Sequence, residues 1–240
     1  RYATVIPCVK LSAPSVFCND KAKQIGLIPG YDVVVVDEIK KIHTDAAGEA
    51  MASLKMYLES GRYRRATSEE GTAEAGFAML GNITLGANRM PLYESDGLFK
   101  ELPPALQESA FIDRIHGLLE GWYMPRISRN SPSSSLGFKG DFFSEMLHEL
   151  RIDLRYSDYV SQSLHLPQCE DMRDNKAVAR LATGFLKLLF PDLQLTDDEF
   201  ITFCVNPAVR MRQGIRDELA KIDQEYPWVT ILSQSPDEFQ

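Results

Sequence analysis

The 240 residues include 26 basic and 34 acidic side chains, which gives a formal net charge of −8 at pH 7. This acidic balance argues against a protein that coats nucleic acid through bulk charge, so any nucleic-acid contact has to be local. Apolar residues make up 44% of the chain and charged residues 25%, proportions typical of a globular protein and not of a disordered or fibrous one.

The four cysteines and four histidines have no spacing typical of a zinc site or a disulfide framework. No run of about eighteen apolar residues indicates a membrane span, and no signal-peptide pattern opens the chain. These observations predict a cytoplasmic protein with reduced cysteines and no membrane partner. Because the first residue is Arg1 and not methionine, we expect the chain to be a piece of a longer polypeptide.

The first strongly patterned segment is YDVVVVDEIK, residues 31–40. Its continuous β-branched run predicts a strand at about 32–37 that is buried on both faces, as central strands of parallel sheets are. A helix is predicted to follow, from Asp45 as its N-cap to Ser60, with Gly61 as its stop. The pair indicates a parallel sheet with a flanking helix.

The next segment, RYRRATSEEGTAEAGFAML, predicts a hairpin whose strands, 62–68 and 72–80, flank a Glu-Glu-Gly turn. Further along, PALQESAFIDRIHG predicts a short helix that ends near Gly117, and LLEGWYMPRI predicts one more strand. The loop RNSPSSSLG then predicts a domain boundary at about 128–138, because serine, proline and glycine are typical of linkers.

Everything beyond this loop is predicted to be helical. Asp141 is predicted to cap the first of these helices, and Thr196 with Glu199 matches the T-x-x-E pattern of a capping box. Asn206 and Pro207 match the N-cap and the first residue of the final helix. The predicted architecture is an α/β part followed by an all-helical part.

The strand that ends in Asp37 and Glu38 has the form of a Walker B segment. In such a segment the aspartate holds the water shell of Mg²⁺ and the glutamate polarises the attacking water. Adjacent residues at a strand end point in different directions, so one carboxylate can face the metal while its neighbour faces the γ-phosphate. The alternative is a buried strand that ends in an acidic surface loop and has no catalytic role. For the motif taken alone, this alternative is favoured over the Walker B interpretation.

Two polar side chains downstream come in the order that an AAA+ ATPase needs. Asn82, after FAMLG, is predicted to orient the lytic water together with Glu38, although a turn asparagine is the alternative. Arg114, in SAFIDRIHG, is predicted to reach the γ-phosphate of a neighbouring subunit, a contact worth roughly a thousandfold or more in rate. A surface pair with Asp113 is the alternative there.

The segment MRDNKAVARLATGFLKLLFP has two arginines that fall on the same face of a helix, Arg173 and Arg180. Arg173, near the helix start, is the predicted sensor 2, the arginine that reaches back to the bound nucleotide. Arg180 fits a solvated helix face better. Which of the two is sensor 2 stays open.

Five segments, in this order, resemble the BrxL family, the Lon-related AAA+ proteins of the BREX phage-resistance system: YDVVVVDEI, YLESGRYRR, GNITL, AFIDRIHGLLEGWYMPRI and RDNKAVARLATGFLKLLFP. More distantly they are similar to the ATPase modules of Lon proteases and MCM helicases. The resemblance implies a partial AAA+ P-loop-type core at residues 1–130 and a helical lid subdomain at 131–240.

The resemblance also implies what such a protein works with. Its cofactors would be ATP and Mg²⁺, with Asp37 on the metal side and Arg173 at the nucleotide. Its partners would be further copies of itself, in a ring of six or in stacked hexamers, together with DNA and other BREX components. The implied activity is ATP hydrolysis in phage defence, with a Lon-like domain expected after Gln240.

One part of such an ATPase does not occur in the chain, since no G-x-x-x-x-G-K-[ST] segment is present. The spacing of Gly81 and Gly86 fits, but Ala87 and Asn88 replace the lysine and hydroxyl residue that hold phosphate and magnesium. We expect the P-loop upstream of Arg1. The chain alone is therefore expected to bind ATP poorly and not to hydrolyse it.

The predicted hairpin carries three arginines on one arm, Arg62, Arg64 and Arg65. A hairpin at this place in related rings faces the central pore, so these side chains are possible contacts to a DNA backbone. The alternative is a surface hairpin whose arginines pair with Glu69 and Glu70.

Three functions stay in competition at this point. The favoured one is an AAA+ motor that acts on DNA in a ring. The second is the unfoldase module of a Lon-like ATP-dependent protease, and the third is a scaffolding module that has lost its phosphate loop. The favoured hypothesis depends on the acid pair and the arginines being present together.

Overall fold

The computed structural model describes residues 3–7, 16–19, 24–41, 47–64, 70–93, 95–167 and 169–232. The chain divides into two compact units, one of Arg1–Arg114 with Lys221–Asp223 and one of Ile115–Ala220 with Gln224–Gln240. The first unit contains a parallel sheet with flanking helices and the second is helical. The predicted α/β fold class is confirmed.

The strands are β1 Ala3–Pro7, β2 Cys18–Asn19, β3 Gln24–Ile25, β4 Val33–Asp37, β5 Arg62–Arg64, β6 Glu70–Thr72 and β7 Gly76–Met79. The α-helices are α1 Leu27–Gly30, α2 Ala47–Ser60, α3 Ser109–Ile112, α4 Gly140–Ile152, α5 Arg155–Ser163, α6 Met172–Leu189, α7 Asp197–Phe200 and α8 Asn206–Ile222. Short 3₁₀ turns occupy Ile39–Lys41, Leu98–Glu101, Pro104–Leu106 and Gly121–Tyr123. Over the described ranges, no helix combines the length and the apolar character that a membrane crossing needs.

The valine-rich strand β4 lies in the middle of a parallel sheet whose order is β1, β4, β7. Val34 and Val36 are each 1% exposed, whereas Val33 on the other face is 38% exposed. The central parallel position was predicted correctly, but the strand is deeply buried on one face only. Alternate residues of a strand point to opposite faces, so the two faces of β4 meet different surroundings.

Helix α2 buries the apolar positions that its periodicity predicts. Met51, Leu54 and Tyr57 are buried, and the Tyr57 hydroxyl donates a 2.6 Å hydrogen bond to the carbonyl of Ala75. The helix ends at Gly61, whose φ of 73° is left-handed, the conformation that glycine adopts at least cost. The predicted N-cap, Asp45, lies outside the described residues.

The hairpin prediction was wrong about its second strand. β5 pairs with β6, so that Tyr63 lies opposite Gly71 inside what was predicted to be the turn. A Cβ at Gly71 would lie 2.4 Å from the Tyr63 ring, so glycine serves here to admit the ring and not to make a turn. Strand β7 is separate and pairs in parallel with β4.

The strand predicted in LLEGWYMPRI does not form, and the helix before it, α3, already ends at Ile112. Residues 115–120 run instead along the last helix, where the Leu118 N–H donates to the carbonyl of Met211 at 2.9 Å. Side-chain and backbone groups of α8 take the place of a strand partner. The two compact units divide just before this segment, ahead of the boundary predicted at 128–138.

Two helix starts differ from their predictions, and one agrees. The Thr196–Glu199 capping box is confirmed, with both reciprocal hydrogen bonds present. Asp141 lies within the first turn of α4, and the N-cap residue is Lys139. Asn206 is helical and not a cap, because a π-helical turn at Ile201–Val205 joins α7 to α8. A wide π turn gives Pro207 room that a regular helix would deny it.

A buried ion pair joins α6 to α8 inside the helical unit. The Arg212 Nε lies 2.6 Å from the Asp174 Oδ1, and Arg212 also donates to the carbonyl of Ile115 at 2.7 Å. The Arg216 Nε lies 3.4 Å from the second Asp174 oxygen. Burial raises the pKa of Asp174, and the two guanidinium groups oppose this rise without cancelling it.

Changing Arg212 to methionine is expected to lower the free energy of unfolding by up to about 3–5 kcal/mol, because the buried Asp174 loses its closer ion pair and keeps only the 3.4 Å contact to Arg216. Urea denaturation of the chain measures this loss. Since burial already raises the pKa of Asp174, part of the loss should be recovered as the pH falls and the carboxyl takes up its proton.

The matched control is Arg155→Met, which breaks the exposed pair of Arg155 with Asp153. That change should cost far less, since an exposed ion pair contributes little to stability. If both variants lost the same free energy of unfolding, the buried pair would contribute no more to stability than the exposed one.

Candidate active site

The carboxyl ends of β4 and β7 lie at one edge of the sheet, and they bring Asp37, Glu38 and Asn82 to that edge. The Leu80 N–H donates to the carbonyl of Val36 at 2.8 Å, and the Ile39 N–H donates to the carbonyl of Leu80 at 3.1 Å. These two hydrogen bonds fix the register of the chain immediately before Asn82. Three residues that the sequence placed in one site therefore share one edge.

Gly81 allows this close approach of the two strand ends. A Cβ built on Gly81 would lie 2.9 Å from the Ile39 Cγ1, closer than real Cβ atoms come to a neighbour. Ile39 itself is buried, so it has little room to give way. A side chain at Gly81 would push Asn82 away from the end of β4.

Glu38 sits in a strained backbone conformation directly after the strand. Its φ is 53°, in the left-handed region, which costs a residue with a Cβ roughly 1–2 kcal/mol. Its N–H donates to the Asp37 Oδ1 at 2.7 Å, which holds the turn and engages one carboxylate oxygen of Asp37. The turn gives the two acids different directions, and strain of this kind is concentrated at functional sites.

The Glu38 carboxylate pairs with Lys41. The Lys41 Nζ lies 2.8 Å from both Glu38 oxygens, in a pair whose side chains are 44% and 64% exposed for Glu38 and Lys41. An exposed pair one helical turn apart contributes about 0–1 kcal/mol, so a competing ligand separates it at little cost. Lys41 thus orients the Glu38 carboxylate through an ion pair that is weak enough to be broken when a ligand binds.

Arg114 folds back onto its own unit. Its Nε lies 3.1 Å from the Glu59 Oε2 without the alignment of a hydrogen bond, and its NH1 donates to the carbonyl of Ala110. Only 20% of its side chain is exposed. To contact a neighbouring subunit, Arg114 would have to leave Glu59.

The two candidates for sensor 2 lie on α6 in the second unit. Arg173 is half-buried in the first turn, where its N–H donates to the N-cap Asp171 at 2.7 Å. Arg180 is exposed, and its NH1 lies 3.0 Å from the His116 Nε2. The interaction with His116 gives Arg180 a local role in its own unit, and the assignment of Arg173 as sensor 2 stays a prediction.

The possible DNA-contacting arginines are only partly described. Arg62 is exposed and its NH1 lies 3.7 Å from Glu70, a loose ion pair across the hairpin. The side chain of Arg64 and the whole of Arg65 lie outside the described residues. The Arg62–Glu70 pair agrees with the surface-hairpin alternative, but so weak a pair leaves Arg62 available to another anion.

The groups at the sheet edge fit a magnesium nucleotide. Mg²⁺ takes oxygen ligands, and in nucleotide sites one or two carboxylates complete a shell of phosphate oxygens and water. Asp37 supplies a half-buried carboxylate at that edge, with Glu38 and Asn82 as further polar groups. Their oxygen and amide chemistry is that of a magnesium and phosphate site and not that of a zinc site.

Three polar residues near this edge escaped sequence analysis. Lys41 has a local signal, since it lies three positions after Glu38. Lys40 and Glu101 form a 2.5 Å ion pair between residues 61 positions apart, which no periodic pattern reveals.

Known proteins are similar to this chain over most of its length. The family model that matches is "Lon-like protease BrxL-like, ATPase domain", over residues 1–231. The chain is 30% identical, over 209 residues, to the "Lon-like protease BrxL" of Escherichia coli O9:H4 (strain HS). It has the same identity, over the same number of residues, to the protein of that name from Bacillus cereus (strain H3081.97).

These alignments include 87% of the chain but 29% of the E. coli protein and 30% of the B. cereus protein. The chain thus spans about a third of the length of the curated relatives it matches. The family match covers both compact units, the sheet edge and the helical part included. The chain belongs to the family of BrxL-like ATPase domains.

Proposed function

We propose that this chain is the part of a BrxL-like protein that hydrolyses ATP, with its reaction centre at the carboxyl ends of β4 and β7. The observation that carries the proposal is the pairing through Leu80, which sets Glu38 and Asn82 at one edge. Parallel α/β sheets bind their ligands at the carboxyl ends of the strands. Membership of an ATPase-domain family supports ATP as the nucleotide that would bind at that edge.

Each residue has a distinct task in the proposed reaction. Bound magnesium ATP supplies the phosphoryl group and the metal charge that offsets its negative charge. Asp37, as the Walker B aspartate, would hold the water shell of the metal through its carboxylate. Glu38 leaves Lys41 and accepts a hydrogen bond from the attacking water, and the Asn82 amide orients that water.

The two arginines act from outside this edge in the proposal. Arg114 leaves Glu59 and stabilises the γ-phosphate of a neighbouring subunit, which makes hydrolysis depend on assembly. Arg173 contacts the nucleotide from the helical lid. A site that each subunit completes for its neighbour favours a closed ring of further copies. The proposed number, a hexamer or stacked hexamers, comes from the resemblance to BrxL proteins alone.

DNA is the proposed substrate of the ring, and phage defence with other BREX components is its proposed setting. The exposed and loosely paired Arg62 supports a phosphate contact, which has to be local in so acidic a chain. The printed name of the relatives, "Lon-like protease", favours the alternative that the ring unfolds protein for a peptidase. The proposed site of ATP hydrolysis is the same whether the ring acts on DNA or on protein.

Changing Glu38 to glutamine in a longer protein that joins this chain to a P-loop should abolish turnover and preserve ATP binding. The amide fills the same space but cannot act as a base, so the loss should reach about a hundredfold or more. Phosphate release measures turnover and calorimetry measures binding.

Lys41→Ala is the control for that experiment, because it removes the partner of Glu38 and leaves the carboxylate in place. It should keep turnover. Full turnover by the glutamine variant would remove Glu38 from the mechanism.

Replacing Arg62, Arg64 and Arg65 together by alanine should weaken DNA binding and flatten its salt dependence. Each lost phosphate contact lowers the slope of log K against log salt by about 0.9 on duplex DNA. Fluorescence anisotropy at several salt concentrations gives both the affinity and the slope.

A second triple alanine variant, at Arg126, Arg129 and Lys139, removes the same charge from an exposed loop of the helical unit. It should leave the slope unchanged. Identical effects of the two variants would mean that net charge, and not the hairpin, governs binding.

A further inference from the structure

The carboxylate of Glu101 lies at the end of a 3₁₀ turn, Leu98–Glu101, which neither the sequence patterns nor the proposed reaction uses. Its side chain is only 10% exposed. An acid buried to this extent needs hydrogen-bond partners to stay ionised. Its partners are therefore informative about why it is there.

Both partners of Glu101 belong to the loops of the candidate active site. The Lys40 Nζ donates to its Oε2 at 2.5 Å. Thr84 donates twice, from its hydroxyl to Oε2 at 2.8 Å and from its backbone N–H to Oε1 at 3.0 Å. The carboxylate of Glu101 thus binds one residue from each loop: Oε2 accepts from both Lys40 and Thr84, and Oε1 accepts from Thr84.

Those partners are each two positions from a residue of the proposed reaction. Lys40 follows Glu38 in the 3₁₀ turn after β4, and Thr84 follows Asn82 in the loop after β7. The strand register ends at Leu80 and Ile39, so it does not by itself fix the chain beyond them. Past that point, the carboxylate of Glu101 connects the two loops through its hydrogen bonds to Lys40 and Thr84.

We propose that Glu101 is a positioning residue, which sets the separation of Glu38 and Asn82 by holding Lys40 and Thr84 on one carboxylate. This inference rests on the proposed hydrolysis site. Glu101 touches neither water nor nucleotide in it and acts only through the two loops.

The ionisation of Glu101 agrees with this role. Partial burial raises the pKa of its carboxyl, but the hydrogen bonds from Lys40 and Thr84 outweigh burial and lower the pKa overall. Glu101 is therefore a carboxylate at neutral pH, able to accept all three hydrogen bonds at once. The charge-assisted bond to Lys40 is of the stronger kind.

A second lysine–glutamate pair in the same unit provides a matched control. The Lys55 Nζ lies 2.8 Å from both oxygens of Glu108, whose side chain is 50% exposed. Lys55 belongs to α2 and Glu108 precedes α3, so this pair joins two helices and does not touch either active-site loop.

The test uses the longer protein with its P-loop and compares Glu101→Gln with Glu108→Gln. The Glu101 variant should lower kcat about ten- to a hundredfold, since small displacements of reacting groups have effects of that size. Its ATP dissociation constant should stay close to that of the Glu108 variant, whose kcat should be unchanged. Its melting temperature should fall further than that of the Glu108 variant, because Glu101 is the more buried of the two carboxylates, so kcat is compared at a temperature at which both variants are folded.

Thr84 provides a second measurement that leaves the lysine pair intact. Thr84→Val removes the hydroxyl donor and should lower kcat several-fold, and Thr84→Ser, which restores the hydroxyl, should recover it. If Glu101→Gln fails to fold, these two variants decide the question.

Two results would overturn the inference: equal kcat for the Glu101 and Glu108 variants, or equal kcat for Thr84→Val and Thr84→Ser. Glu38→Gln, measured in parallel, separates this failure from that of the proposed function. If Glu38→Gln is inactive while Glu101→Gln is fully active, only the positioning role falls. If Glu38→Gln is itself active, the hydrolysis site falls and the positioning role falls with it.

Discussion

The backbone of Leu80 hydrogen-bonds to the residues on both sides of the acid pair, Val36 in β4 and Ile39 in the turn after it, and the proposed chemistry depends on that pairing. Its N–H binds the carbonyl of Val36 and its carbonyl binds the N–H of Ile39. Asp37 and Glu38 lie between those two anchors, so the chain can turn sharply there without losing its place in the sheet. The strained, left-handed φ of Glu38 is tolerated because the two hydrogen bonds of Leu80 hold the turn from both ends.

The helical unit depends on a different kind of interaction, a buried charge cluster. Asp174 on α6 is contacted by two guanidinium groups of α8, and one of them also holds the backbone of Ile115. Removing charges from water is costly, so the presence of such a cluster is weak evidence for added stability, although losing one partner is costly. A continuous helical run through the π turn keeps both arginines in register with Asp174.

Local sequence patterns correctly predicted the strands and helices that are determined by residues within the same segment. The valine run gave β4 its place because a continuous β-branched segment suits a central parallel strand, and the apolar spacing of α2 matched its buried face. Predictions failed where a contact with a residue outside the segment determined the local structure. Gly71 was taken as a turn residue because nothing in sequence shows that Tyr63 lies over it, and the 115–120 segment was taken as a strand because its partner is a helix.

The candidate site divides in the same way. Asp37, Glu38 and Asn82 could be proposed from sequence because each follows an apolar strand. Glu101 could not, because its link to Lys40 spans 61 positions. The pairing of Glu38 with Lys41 was within reach of a local pattern, whereas the strained φ of Glu38 was not, since glutamate has no preference for the left-handed region.

The most direct test of the central claim is a cryo-electron microscopy structure of the longer protein with Mg²⁺ and a non-hydrolysable ATP analogue. We expect one water molecule between the metal and Asp37, and the terminal phosphate facing Glu38 and Asn82, with Glu38 released from Lys41. Nucleotide bound away from the carboxyl ends of β4 and β7, with the Glu38–Lys41 pair intact, would contradict it.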